Sequence, residues 1–137
     1  MKDKKKILII LFSLQILFFI LVLLTILFFI ETISPLYSFL PFTISGIVIT
    51  FLSKKWLEKG KLRKWLMING LSATALIVLS VLHNLFYALN TVVDNTVLSS
   101  IISVLEGGSF LLSIPVSPIL FLVSTVVVIV LWVKGKK

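Results

Sequence analysis

The chain has 137 residues, 59% of them hydrophobic and 13% charged, with a mean hydropathy of +1.21 and a formal net charge of +8. Ordinary soluble domains hold about 45–50% apolar and about 25% charged residues, so this composition excludes a water-soluble globule and points to a chain that resides in a bilayer. The absence of cysteine excludes a disulfide framework, a thiolate metal site and a cysteine nucleophile.

All thirteen Lys and Arg residues fall in three clusters, Lys2 to Lys6, Lys54 to Lys64 and Lys134 to Lys137. A nucleic-acid site needs basic residues spread over one folded face. Here they flank apolar segments, as the positive-inside rule describes, so a nucleic-acid partner is not expected. Twelve Lys to one Arg, with abundant Ile and Phe, suits an AT-rich prokaryotic gene. The length suffices for one all-α bundle of four transmembrane helices over residues 1–137, with no second domain.

The first span runs from Ile7 to Ile30 without a charge, about 36 Å as a helix. It is longer than the roughly 7 to 15 residues of a signal-peptide core, and no small-x-small cleavage site follows, so it reads as an uncleaved signal anchor. Glu31, Thr32, Ser34 and Pro35 make a turn, with Ser34 as N-cap and Pro35 at the first helical position of the next helix. The second span, 36–53, is the shortest and carries Pro41 near its outer end. It leads into Lys54 to Lys64, six basic residues against Glu58 alone. The third span covers 65–89, with Trp56 and Trp65 as interface anchors. Between it and the fourth span, 110–133, the apolar residues Val97, Leu98, Ile101, Ile102, Val104 and Leu105 share one side of a helical wheel, with Asn95, Ser99, Ser103 and Glu106 on the other. This pattern predicts a short helix over 95–106, capped by Asp94 or Asn95 and stopped by Gly107-Gly108. Such a helix lies in the outer interface or packs its apolar face on the bundle. Every basic residue then falls on one side and Glu31, Asp94 and Glu106 on the other. The protein is expected in the cell membrane as a multi-pass chain with both termini cytoplasmic.

Polar residues cluster on the third span, where Asn69, Ser72, Ser80, His83, Asn84, Tyr87 and, just past its end, Asn90 share one arc and Thr74 stands alone on the far side. Polar groups lack partners in lipid, so this stripe is expected to face other helices or a wet cavity, with the third span at the centre of the bundle. Thr43, Gly46, Thr50 and Ser53 on the second span and Ser109, Ser113, Ser117 and Ser124 on the fourth form small-residue faces suited to pack on it. Pro115 and Pro118 should bend the fourth helix. The first span has only Ser13, Gln15 and Thr25, on different sides, and reads as the most lipid-exposed helix or as one awaiting a partner through Gln15.

His83 is the one residue with chemistry beyond packing. An imidazole can relay protons or bind metal or haem, but there is no second histidine, and the spans hold no carboxylate or thiol to complete a site. No cofactor and no metal are expected. Lys54, Lys55, Lys61, Arg63 and Lys64 are candidate contacts for anionic lipid headgroups, although topology alone accounts for them. The reading that asks least is a small non-enzymatic accessory, interaction or protective protein that packs with itself or a larger membrane complex. The alternative is an oligomeric small-solute carrier or a holin-like pore. Proton-coupled carriers rely on a membrane-embedded carboxylate, and a membrane enzyme needs an acid–base pair or a nucleophile, neither of which these spans contain.

Overall fold

A computed structural model describes residues 2–28 and 36–135. The turn expected at Glu31 to Pro35, with its Ser34 cap, lies outside the described residues. All regular structure among them is helical: α1 (Lys2–Phe28), α2 (Leu36–Trp56), α3 (Lys61–Asn90), α4 (Thr96–Leu111) and α5 (Ser117–Lys134). Three helical stretches are long and apolar enough to cross a membrane: Asp3–Phe28, Lys61–Asn90 and Thr96–Lys134. The second helix is not among them. It is 21 residues long, contains Pro41 and ends in Lys54 and Lys55.

Two layers of apolar side chains fix the helix directions. One consists of Phe12, Ile49, Leu66 and Val128, the other of Phe19, Phe42, Ala73 and Phe121. From the first layer to the second the numbers rise along α1 and α3 and fall along α2 and α5, so α2 runs antiparallel to α1 and α3, and α5 antiparallel to α3. The third helix packs against α2, α4 and α5 and is the centre of the bundle, as expected. The first helix lies along α2 and reaches α5 through its rings, Phe12 edge-on to Trp132 at 5.0 Å and Phe19 to Phe121 at 4.7 Å.

The expectation that the polar residues of α1 lie on different sides is corrected by this packing. Leu8, Phe12, Gln15, Phe19 and Val22 are buried, at the alternating four- and three-residue spacing that keeps one seam of a helix against a neighbour. Gln15 and Thr25 lie on this seam, not on different sides, and only Ser13 faces outward.

The expected stop at Gly107-Gly108 is also absent. Asn95 caps α4 as expected, its Oδ1 accepting from the Leu98 amide at 3.0 Å, but the helix runs on from Thr96 to Lys134. Glycine ends a helix by turning left-handed, and no glycine among the described residues has positive φ. A helical glycine costs only about 1 kcal/mol, which the flanking packing offsets. The irregularity falls instead at Leu112–Val116, one π-helical turn around Pro115. Proline has no amide proton, and its ring crowds the carbonyl one turn back; widening the turn relieves both. The Ser117 amide and hydroxyl both donate to the Leu112 carbonyl, the hydroxyl at 2.7 Å.

Candidate functional site

Of the polar residues on α3, Asn69 joins it to α5. The Ser124 and Thr125 hydroxyls turn back on the Phe121 carbonyl at 2.9 and 2.7 Å, which leaves their lone pairs directed at α3. The fully buried Asn69 amide nitrogen donates into this cluster, to Phe121 O at 3.2 Å, Ser124 Oγ at 3.0 Å and Thr125 Oγ1 at 2.8 Å. Ser72, also buried, donates to the Asn69 carbonyl at 2.9 Å. The small-residue face of α5 and its π-turn packs here: Ser113, Ser117 and Ser124 are all buried, as is Ser109 of α4.

The contact with α2 uses a different side of α3. Gly46-x-x-x-Thr50 on α2 and Gly70-x-x-x-Thr74 on α3 cross antiparallel, and each threonine donates to the carbonyl of its own glycine at 2.9 Å. A Cβ on Gly46 would sit 2.6 Å from the Gly70 carbonyl oxygen and 3.0 Å from Thr74 Oγ1. Thr74, isolated on the sequence wheel, belongs to this crossing. The pattern of a small residue, three others and a second small residue is visible in both segments and signals it.

Towards the C-terminal end of α3 the stripe opens. Ser80 is half-buried and bonds its own helix at Leu76 O, 2.6 Å. His83, half-buried, donates from Nδ1 to the Glu106 carbonyl at 3.2 Å and stacks beside Phe110. A carbonyl only accepts, so the proton of this contact sits on Nδ1. Asn84 and Tyr87 are exposed, contrary to expectation; Asn84 lines a shallow groove between α2 and α3 with Thr43 and Ser80. By that height α5 has been replaced by α4, which takes its polar contacts from Asn90, donor to Ser103 Oγ at 3.0 Å and acceptor from Ser99 Oγ at 2.7 Å. The α4 polar side therefore turns toward α3. Val97, Ile101 and Val104 are exposed and only Ile102 is buried, so the apolar face does not pack on the bundle.

The candidate lipid contacts separate into groups. Arg63 and Lys64 lie with Lys59 at one end of a groove on α3, whereas Lys54 and Lys55 sit at the α2 terminus, Lys55 over the Phe51 ring at 5.8 Å. Lys61 is exposed at the start of α3 and lines neither cavity at this end. Lys5 and Arg63 share a separate cavity with Trp56 and Glu58.

The residue that the wheel undervalued is Gln15. It is fully buried between the two apolar layers, and neither of its side-chain polar atoms has a hydrogen-bond partner among the described residues. Asn69, between Leu66 and Ala73, occupies the same intermediate level and has one unpartnered atom, Oδ1; Ser53 Oγ is the other such atom. Most hydroxyls here satisfy themselves on carbonyls of their own helix, an arrangement that supports close helix packing. No group of three or more His, Cys, Asp or Glu side chains gathers among the described residues. No protein-family model, curated protein or solved structure matches this chain.

Proposed function

We propose that this is a four-pass protein of the cell membrane with both termini in the cytoplasm, and that it acts by association, as an accessory or protective component of a membrane assembly. The basic residues support the topology. Lys5, Arg63 and the end of α2 meet around one cavity, while Glu106 lies with His83 towards the other end of the bundle. If α2 did not cross, one of these basic ends would be translocated or buried, at several kcal/mol per charge in hydrocarbon. Single cysteines at Thr32 and Asp94 should react with an impermeant thiol reagent in intact cells, and cysteines at Gly60 and Gly135 should not. Labelling at Gly60 in sealed cells defeats the four-pass arrangement.

The observation that carries the association reading is the exposed apolar face of α4. With Trp65 at the inner boundary, a hydrocarbon core of about 30 Å takes up about twenty residues of α3, ending near Leu85. Asn90 and its partners Ser99 and Ser103 then lie beyond the outer boundary, and Val97 and Val104, 71% and 74% exposed, present an apolar face at or outside it. An apolar face in such a place marks an interaction site. His83 supports the same reading, because its imidazole serves as an amide-like donor to the backbone carbonyl of Glu106.

Purification in mild detergent should recover a stoichiometric membrane partner with the native chain, and the pair Val97→Gln and Val104→Gln should reduce its recovery at least tenfold while leaving the helical content intact. A homo-oligomer without any other partner would instead indicate a carrier or pore. Undiminished recovery with the double variant would remove α4 as the contact.

A further inference from the structure

Two recesses lie end to end on one flank of α3. The first, of about 450 Å³, is lined at one end by Lys59, Arg63 and Lys64 and continues along Met67, Ile68 and Leu71. The second, of about 300 Å³, begins at the same Ile68 and Leu71 and passes Ala75 and Leu79 to reach Leu112 and Val116 of the π-turn. Together they form one groove, cationic at its mouth and apolar below. We propose that it binds an anionic glycerophospholipid of the cytoplasmic leaflet, the phosphate at Lys59, Arg63 and Lys64 and one acyl chain along α3 toward the π-turn.

Three features fit this occupant. The mouth gathers three cations and no carboxylate; Glu58 lines the neighbouring cavity, which shares only Arg63 with this one. An anionic headgroup is thus favoured over a zwitterionic one. The two hydroxyls deeper in the groove are already used, Ser72 on the Asn69 carbonyl at 2.9 Å and Ser117 on the Leu112 carbonyl at 2.7 Å, so this stretch offers hydrocarbon and no free donor. From Lys64 to Leu79 the groove is about 22 Å long, enough for a headgroup and glycerol followed by a chain crossing half of a core of about 30 Å. The recess is bounded by the small Ala75 on α3 and by Leu112 and Val116 of the π-turn.

The choice of leaflet rests on the topology proposed above, but binding itself does not, because nanodiscs offer the same lipid on both sides. The full chain is incorporated into nanodiscs of phosphatidylcholine with a minority of phosphatidylglycerol, and the lipid retained after transfer to detergent is counted by native mass spectrometry. The native protein should retain one phosphatidylglycerol in preference to phosphatidylcholine. Lys59→Gln with Lys64→Gln, both exposed, should weaken retention about 30-fold, at roughly fivefold per charge. Ala75→Phe, which fills the groove without touching a charge, should abolish it, whereas Lys54→Gln with Lys55→Gln should change it less than about twofold. Equal retention of the two lipids, an equal loss from the α2 lysines, or full retention by a folded Ala75→Phe protein overturns the proposal. The first two outcomes can be read even if Ala75→Phe fails to fold, and none of the three bears on the cysteine-labelling result.

Discussion

Gly70→Leu should separate α2 from α3 and cost the bundle at least about 3 kcal/mol, the upper end for overpacking, because what it strikes is backbone. A Cβ at this position would run into the Gly46 carbonyl oxygen and Thr50 Oγ1, and neither can withdraw. The carbonyl belongs to the helix ladder, and the threonine is held by its own bond to that carbonyl at 2.9 Å. Even Gly70→Ala and Gly46→Ala should be clearly destabilising. Gly107 and Gly108 are the internal control, since nothing lies within 4 Å of an added Cβ at either position. Alanine there should stabilise by up to about 1 kcal/mol through helix propensity. Unfolding in mixed micelles titrated with denaturing detergent measures all five variants. If Gly70→Leu unfolds at the same point as the native chain, α2 and α3 do not cross where the structure places them.

The same glycines show which parts of the fold could be read in the sequence. Long runs without charge between lysine clusters announce helices because lipid leaves the backbone no other way to satisfy itself, so the helices and the central place of α3 follow directly. Stops are harder. Gly107-Gly108 carries the composition of a C-cap, but glycine only permits a left-handed turn, and here packing on both sides holds the helix straight through it. The first helix concealed its inner face for another reason. It is apolar all round, so a contrast between polar and apolar sides says nothing, and only the spacing of Leu8, Phe12, Gln15, Phe19 and Val22 distinguishes the seam. The polar stripe of α3 was legible in its N-terminal half, where Asn69 and Ser72 meet α5. It failed at Asn84 and Tyr87, since a wheel assumes the same neighbours along the whole helix, and towards the end of a span side chains can use headgroups or water.

Gln15 and Asn69 should prove energetically coupled across the middle of the bundle. Both are fully buried at the level between the two phenylalanine-containing layers, and each carries an unpartnered group of the kind the other needs, a donor on Gln15 Nε2 and an acceptor on Asn69 Oδ1. α1 and α3 make no close backbone contact, so any pairing runs between the ends of the two side chains; an amide left unpaired in a dry interior costs about 1–3 kcal/mol, which favours such pairing over leaving both unpaired. Asn69→Leu removes the donor that holds Phe121, Ser124 and Thr125 as well, and should cost about 2–3 kcal/mol given that intramembrane hydrogen bonds reach at most about 1.7 kcal/mol each. Gln15→Met preserves the volume and should cost about 1 kcal/mol. The double variant should fall short of the sum by about 1 kcal/mol, because once Asn69 is gone Gln15 has nothing left to pair with and its removal becomes neutral or favourable. The measurement is a double-mutant cycle by detergent unfolding. Strict additivity, together with a Gln15→Met protein at least as stable as the native chain, would show that Gln15 is a buried amide without a partner and that α1 is held by the apolar residues of its seam alone.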